Sequence, residues 1–281
     1  MKISKSHTIK YYDSTIIDYR LVWDLKSSLA MHYGYWDDRV RNLREALQRE
    51  NEILADISKI TSRSVVLDAG CGVGGSSIYL AKNIGCRVIG ITISSDQVAQ
   101  AKHNAIKHGV ENLTEFYEMD FCNTSFMENS FDVIWAIESV CHASNKKKFI
   151  LEAFRVLKKS GRLIIADGFL AKNLYSEAEQ KIINTWLNGW GVNSLITSKQ
   201  FEELLDEADF RVIKVKNITH KIMPSSKRLY FLSFPAFIVS KFAEVLKLRS
   251  KIQTSNVVAA YHQYKIFNQK LASYEIVSAI K

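Results

Sequence analysis

From Ser64 to Lys281 the sequence repeats one device: a short run rich in β-branched residues, a glycine or polar turn, then a stretch with apolar residues every three or four positions. The runs SVVLDAG (64–70), RVIGITIS (87–94), LTEFYEMD (113–120), FDVIWAIE (131–138) and GRLIIADGF (161–169) read as strands. Between them, GGSSIYLAKNIG reads as a helix closed by Gly85, and SDQVAQAKHNAIKHG as one capped by Ser95 and closed by Gly109. NKKKFILEAFRVLKKSG puts Phe149, Ile150, Ala153, Phe154 and Leu157 on one helical face. Strands alternating with helices are joined by right-handed crossovers into a parallel sheet covered on both faces. FRVIKVKNIT (210–219) and YEIVSAIK (274–281) bring the strands to seven, and Thr197 with Gln200 forms a capping box before FEELLDEADF. The expected fold is α/β: a doubly wound, mostly parallel seven-stranded sheet. Helices over 14–31 and 38–60 precede it, and a helical cap enters before the last strand, because 221–271 is too long for a loop.

The chain of 281 residues, 47% hydrophobic and 24% charged, suits one large domain with an added lobe. It divides into an N-terminal helical segment (1–60), a core (61–220) and a cap with the last strand (221–281). No apolar run approaches the ~20 residues of a membrane span, and LYFLSFPAFIV (229–239) is short and carries Pro235. The first residues lack the apolar segment of a signal peptide, and the four cysteines show no metal-binding spacing. Reduced thiols, a cytoplasmic location and no metal are therefore expected. Charge is uneven: residues 211–281 hold thirteen Lys and Arg against Glu244 and Glu275, a local net of +11 in a chain whose total is +9. That excess suits an anionic substrate, an anionic membrane or nucleic acid, or simply a solvated surface. Nothing in the sequence speaks to oligomeric state.

The glycine loop VVLDAGCGVGGSS (65–77) fits two patterns: Gly70, Gly72 and Gly75 spell G-x-G-x-x-G, while Asp68 with Gly70, Gly72 and Gly74 spells D-x-G-x-G-x-G. A phosphate-cradling P-loop needs a lysine that Gly75-Ser76-Ser77 lacks. A dinucleotide site needs an acid after the second strand, where Thr92-Ile93-Ser94 stands. Asp68 is the positive sign. A carboxylate at the end of a buried strand needs a positive partner, and S-adenosylmethionine (SAM) carries an ammonium beside a cationic sulfur. The alternative is that Asp68 caps amides of its own turn.

On these residues the chain resembles the class I SAM-dependent methyltransferases over roughly 30–220, which implies a Rossmann-like core. GITISSDQ (90–97) and AIESVCHAS (136–144) resemble the sterol side-chain group and its tocopherol and cyclopropane-lipid relations, and HYGYWDD (32–38) resembles their cofactor-closing loop. The resemblance implies SAM held by Asp68, Gly70, Gly72 and Gly74, with Thr92, Ile93 and Gln97 at the ribose. Asp120 and Phe121 then belong to the adenine, Ile137 to the pocket wall, and Tyr33 and Gly34 to the methionine end. Lys159-Ser160-Gly161 departs from the family's Pro-Gly-Gly.

The implied reaction is methyl transfer to a small, lipophilic acceptor at carbon or oxygen. Glu138 and His142 follow the fourth strand and are the candidate catalytic residues. Glu138 stabilises a cation or orients the acceptor, and His142 takes a proton; alternatively they bond pocket backbone and cap the next helix. Cys141 reads as a packed residue, and Lys146, Lys147 and Lys148 as a solvated face. Trp186, Trp190, Tyr230, Phe231, Phe234 and Phe237 read as an aromatic cap over the acceptor or as ordinary core. The basic, apolar stretch from 229 reads as a lid helix or as a peripheral contact with an anionic membrane. A nucleic-acid substrate is disfavoured, since Ile137-Glu138-Ser139-Val140 stands where base-modifying enzymes of this fold carry a Pro-Pro-aromatic motif. A polar or anionic acceptor, and a non-catalytic SAM-binding role, remain as alternatives.

Overall fold

The computed structural model describes residues 5–23 and 25–281. Helices α1 (Lys5–Val22), α2 (Leu25–Ser28) and α3 (Leu43–Ser58) come first. Then follow β1 (Val65–Ala69), α4 (Gly75–Ile84), β2 (Arg87–Thr92), α5 (Ser95–His108), β3 (Thr114–Glu118), β4 (Phe131–Ile137), α6 (Lys146–Val156) and β5 (Leu157–Leu170). The chain ends with α7 (Glu177–Gly189), α8 (Ser198–Glu207), β6 (Arg211–Asn217), α9 (Thr219–Val245), α10 (Lys251–Asn268) and β7 (Ala272–Ile280).

The strands form one sheet in the order β3-β2-β1-β4-β5-β7-β6. β1 to β5 pair in parallel, and β7 runs antiparallel between β5 and β6. The chain winds outward from β1 to β3 and then returns to β4, so a crevice opens at the carboxyl ends of β1 and β4. Ligands of open α/β sheets bind at such a reversal. Asp68 lies in register with Gly90 of β2 on one side and Trp135 of β4 on the other.

Period-two alternation sorts the strand residues between two cores. Along β5, Ile164 and Ala166 pack under α3, α4, α5, α7, α9 and α10, whereas Leu163 and Ile165 pack under α6 and α8. The expected caps form: Gly85 and Gly109 close α4 and α5 with positive φ, and Thr197 and Gln200 make the box on α8.

Four local expectations shift. The first helix begins at Lys5, not near residue 14, and ends at Val22; of the predicted span 14–31, residue 24 lies outside the described residues. Ser94, not Ser95, caps α5, its side chain accepting from the Gln97 N–H. The second N-terminal helix starts at Leu43, not at residue 38, because Asn42 supplies the capping oxygen to the Glu45 N–H. α6 stops at Val156, since Leu157 is fully buried and pairs with Phe131 at the start of β5. The cap is two helices, α9 and α10, packed on each other.

Candidate functional site

Two cavities meet at the carboxyl edge of the sheet. The larger, of about 710 Å³, lies over the glycine loop. The smaller, of about 280 Å³, lies between α1, α7, α9 and α10. Tyr12, Met31, Glu138 and His142 line both and form the junction.

The larger cavity is lined by Asp68, Gly70, Gly72, Thr92, Ile93, Gln97, Asp120, Phe121 and Ile137, so sequence-distant candidates converge on one wall. The glycine loop is built for close approach. A Cβ on Gly70 (φ +95°) would stand 2.4 Å from the Ser139 Cβ, whose Oγ donates to the Ala69 carbonyl at 2.6 Å. Gly74 does not line the cavity; it starts α4 in the left-handed region, and a Cβ there would press on Ala101 and Phe116 at 3.1 Å.

Asp68 is buried, with Oδ2 accepting the Ser77 hydroxyl at 2.6 Å. Burial pushes its carboxyl up to about 6, while the Ser77 bonds and nearby His32 act to lower it. The turn-capping role and the cavity-facing role thus coexist: Ser77 sits on the first turn of α4, and the carboxylate still borders the cavity. A buried carboxylate at a site of this size fits a ligand with a positive tail, as SAM has. Thr92 Oγ1 donates to Gln97 Oε1 at 2.6 Å, which fixes the pair standing where a dinucleotide site has its acid. Asp120 Oδ1 accepts from the Cys122 N–H, which starts the turn after β3.

Tyr33 and Gly34 take other places than the sequence suggested. The Tyr33 ring lines the smaller cavity, edge-on to Phe267 and Tyr274, and its hydroxyl donates to Gln263 Oε1. Gly34 lines neither cavity; its N–H donates to Glu50 Oε2, and a Cβ there would collide with the Ala46 backbone at 2.7 Å. Of the two residues just before them, His32 lines the larger cavity and Met31 lines both. His32 Nδ1 bonds Glu50 Oε2 at 2.7 Å, and its buried Nε2 has no partner among the described residues.

Glu138 occupies the junction with a strained backbone, φ +47°. Its Oε1 accepts from the Tyr33 N–H at 2.8 Å and bonds the Tyr274 hydroxyl at 2.9 Å; that hydroxyl also reaches Glu50 Oε1 at 2.9 Å. Burial, and then the charge of Glu50, raise the Glu138 carboxyl well above the usual range. A continuous set of hydrogen bonds therefore links Glu138 to His32 across both cavities.

His142 Nδ1 faces the Gly191 carbonyl at 3.2 Å, so the proton sits on Nδ1 and Nε2 accepts from the Tyr12 hydroxyl at 2.8 Å. Burial pushes the imidazole down to about 4, so it is neutral at pH 7, with its Nε2 lone pair at the junction engaged by the Tyr12 hydroxyl. His142 does not cap α6; Asn145 does. Asp167 lines the smaller cavity and accepts from the Cys141 and Gly168 N–H groups at 2.8 and 2.7 Å, which anchors the turn bearing His142.

The reading of Lys146 as solvated is overturned. It is 8% exposed, and its ammonium donates to the carbonyls of Cys141, Ala143 and Ser194 at 2.8, 2.8 and 3.1 Å. Lys147 is exposed and paired with Glu207, and Lys148 is exposed at the rim of the larger cavity. The aromatic cap divides likewise. Trp186 and Trp190 line the smaller cavity; Tyr230 stacks on Tyr261, with Phe234 edge-on to both; Phe231 and Phe237 are exposed.

Sequence reading missed Tyr12, Asp18 and Tyr19 on α1, all lining the smaller cavity. The spacing of Tyr12 and Tyr19, seven residues apart on one helical face, was the available signal. It missed Glu50 and Tyr274 because each reads as an ordinary helix or strand residue.

The comparisons agree with this geometry. A family model described as "Methyltransferase domain" matches residues 67–165. The 27-O-demethylrifamycin SV methyltransferase of Amycolatopsis mediterranei is 32% identical over 69% of this chain and 71% of its own length. The sterol 24-C-methyltransferase of Eremothecium gossypii is 28% identical over 73% of this chain, which spans about half (54%) of that longer protein. Among solved structures, the [4+2]-cyclase SpnF superposes with a TM-score of 0.80 at 22% identity, covering 100% of this chain and 97% of that one, a likeness of fold. Glycine loop, strand order, paired cavities and a relative matched along most of its length converge: the chain belongs to the class I SAM-dependent methyltransferases and is a small-molecule methyltransferase that uses SAM.

Proposed function

We propose that the acceptor is a lipophilic small molecule held in the smaller cavity, with its reacting carbon or oxygen at the junction of Glu138 and His142. The carrying observation is the smaller cavity itself. Its walls are mostly apolar, with Val22, Trp23, Leu187, Trp190, Leu229 and Phe267 beside the paired Asp18 and Arg249, and it joins the larger cavity at those two titratable side chains. The names of the two relatives fit both acceptor atoms, one specifying an oxygen and the other a carbon.

SAM supplies an electrophilic methyl on a sulfonium; the protein supplies position and proton handling. Asp68 would meet the ammonium of the methionine end, Thr92, Ile93 and Gln97 would serve the ribose, Asp120 and Phe121 the adenine, and Ile137 the pocket wall. As the methyl's bond to sulfur breaks, leaving its electron pair on the neutral thioether S-adenosylhomocysteine, a neutral acceptor that gains the methyl would become cationic, and its proton would be acidic enough for a weak base. His142 is such a base, kept neutral by burial and tautomerically fixed by Gly191. Glu138 orients the acceptor and offers a developing cation a carboxyl group. The four free thiols accord with a cytoplasmic setting. Peripheral contact with an anionic membrane belongs to the same reading, because a lipophilic acceptor partitions into lipid.

The test is transfer from SAM carrying a labelled methyl group, incubated with the protein and a host-cell extract. Label recovered in the organic phase supports the reading. Label confined to water-soluble molecules assigns the cavity to a polar acceptor and defeats it.

A further inference from the structure

The second half of α9 is built inside out. Its inward face toward α10 and the cavity carries Ser233, Ala236 and Ser240, both serines buried. Its outward face carries Phe231, Ile238, Phe242 and Val245, with Ile238 72% and Phe242 68% exposed, while half-exposed Phe234 lies edge-on to Tyr261 of α10. A helix packed against a water-soluble domain ordinarily shows the reverse. Small residues within and large apolar residues without is the arrangement of a helix whose outer face meets lipid or a partner.

Charge chooses the occupant. Lys227, Lys241, Lys247 and Lys251 flank the stripe, and Glu244 is the one acid between Arg211 and Leu271. A second copy pairing through this face would set those lysines against their own counterparts. An anionic surface would be matched by them. The helix lies flat on that surface: no described helix is long and apolar enough to cross a membrane. Pro235 within α9 leaves a backbone carbonyl without its helical partner, which headgroup water satisfies.

The stripe also borders the smaller cavity. Leu232 and Val239 of α9 line that cavity while being 40% and 67% exposed, so they stand at its mouth, with Asp18 and Arg249 also on its wall. Asp18 and Arg249 are joined by a bidentate pair at 2.8 and 2.7 Å. We infer that the outward face of α9 seats in an anionic lipid bilayer and that the acceptor passes from the lipid into the cavity past Leu232 and Val239. This rests on the lipophilic-acceptor reading and adds to it the face of α9 that seats on the lipid and the route by which the acceptor enters.

Flotation of the full chain with vesicles tests the seat. Phosphatidylcholine vesicles containing roughly one-third phosphatidylglycerol should carry the protein, plain phosphatidylcholine vesicles should carry much less, and added salt should release it. The double variant Ile238→Glu/Phe242→Glu touches neither cavity; it should lose flotation and still bind SAM. Each of Lys241→Gln and Lys247→Gln should weaken vesicle binding about fivefold. Methyl transfer to extract dissolved in vesicles should fall in the double variant, while transfer to the same extract in detergent should persist. Wild-type protein that ignores anionic vesicles would overturn the inference. So would a double variant that floats like wild type, or a dimer in light scattering that the double variant dissolves. Flotation without organic-phase label by either delivery would instead defeat the acceptor reading, and the loading route with it.

Discussion

The two cavities that meet at Glu138 are made in different ways. The larger is built on the ends of β1, β2, β3 and β4, where parallel pairing fixes each backbone against two neighbours. Asp68, Gly70, Thr92, Ile93, Asp120 and Ile137 lie within two positions of a strand end, while Tyr12 of α1 and Met31 and His32 close the cavity from the other side. The smaller is built from helices α1, α7, α9 and α10, drawn from both ends of the chain and held by side-chain packing. A site on strand ends is specified locally, and its ligand chemistry can be read from a glycine spacing and one carboxylate. A site between helices is specified by which faces happen to meet, and that is a property of the whole fold.

Division of labour follows, and it can be broken. His142→Ala should lower methyl transfer about 10²- to 10⁴-fold, the usual contribution of a positioned proton acceptor. SAM affinity should stay unchanged, because the imidazole belongs to the junction. A matched loss of SAM binding, measured by calorimetry, would show that the two cavities are one functional unit.

Asp68 provides the reciprocal case. Removing one charge of a desolvated pair costs about 2–5 kcal/mol, so Asp68→Asn should weaken SAM binding roughly 30-fold or more. The pH dependence carries a definite sign. Burial raises the folded carboxyl to about 6, above its ordinary value of 3.8, so its favourable contribution to stability is complete below 3.8 and is lost as pH rises through 6. Ionised Asp68 thus destabilises the unliganded protein at neutral pH, and its neutralisation below 6 weakens the hold on a cationic ligand. Asp68→Asn should therefore melt higher than wild type at pH 8 without SAM, and its residual SAM binding should not fall with acid. A lower melting temperature in the variant would mean that the carboxylate is structural.

The same contrast explains what was legible. All seven strands, the loop glycines and Asp68, Thr92, Gln97 and Asp120 follow from local pattern, because a strand end can face only one way out of a parallel sheet. The Tyr33 ring lies in the smaller cavity while its neighbours His32 and Gly34 turn toward Glu50, a residue of α3 whose buried carboxylate no sequence pattern signals. Tyr12 and Tyr19 escaped notice because α1 reaches the site only through the tertiary fold. Lys146 resembled its exposed neighbours in sequence. Three carbonyls at the ends of two turns, Cys141, Ala143 and Ser194, hold it inside. Its role follows: Lys146→Met leaves those carbonyls unpaired and should cost about 1–3 kcal/mol of stability. The loss should appear as a lower melting temperature together with slower transfer, and SAM affinity should be spared. Undiminished transfer would detach the His142 turn from this anchor.

The smallest expected effect is the most discriminating. Tyr12→Phe keeps the ring that packs edge-on to His142 and removes only the hydroxyl that donates to Nε2 at 2.8 Å. That bond engages the lone pair of the neutral imidazole, so it favours the unprotonated form and adds to the effect of burial. Its loss should shift the acid limb of the rate profile to higher pH and, through looser positioning, slow transfer about fivefold at neutral pH, the scale of one neutral hydrogen bond. SAM affinity should not move, although Tyr12 borders the cofactor cavity too. If the rate fell while the limb stayed in place, Tyr12 would act by shaping the acceptor cavity alone. The proton would then leave by another group at the junction, and the hydrogen-bonded set running from Glu138 through Tyr274 to Glu50 and His32 is the one that spans both cavities.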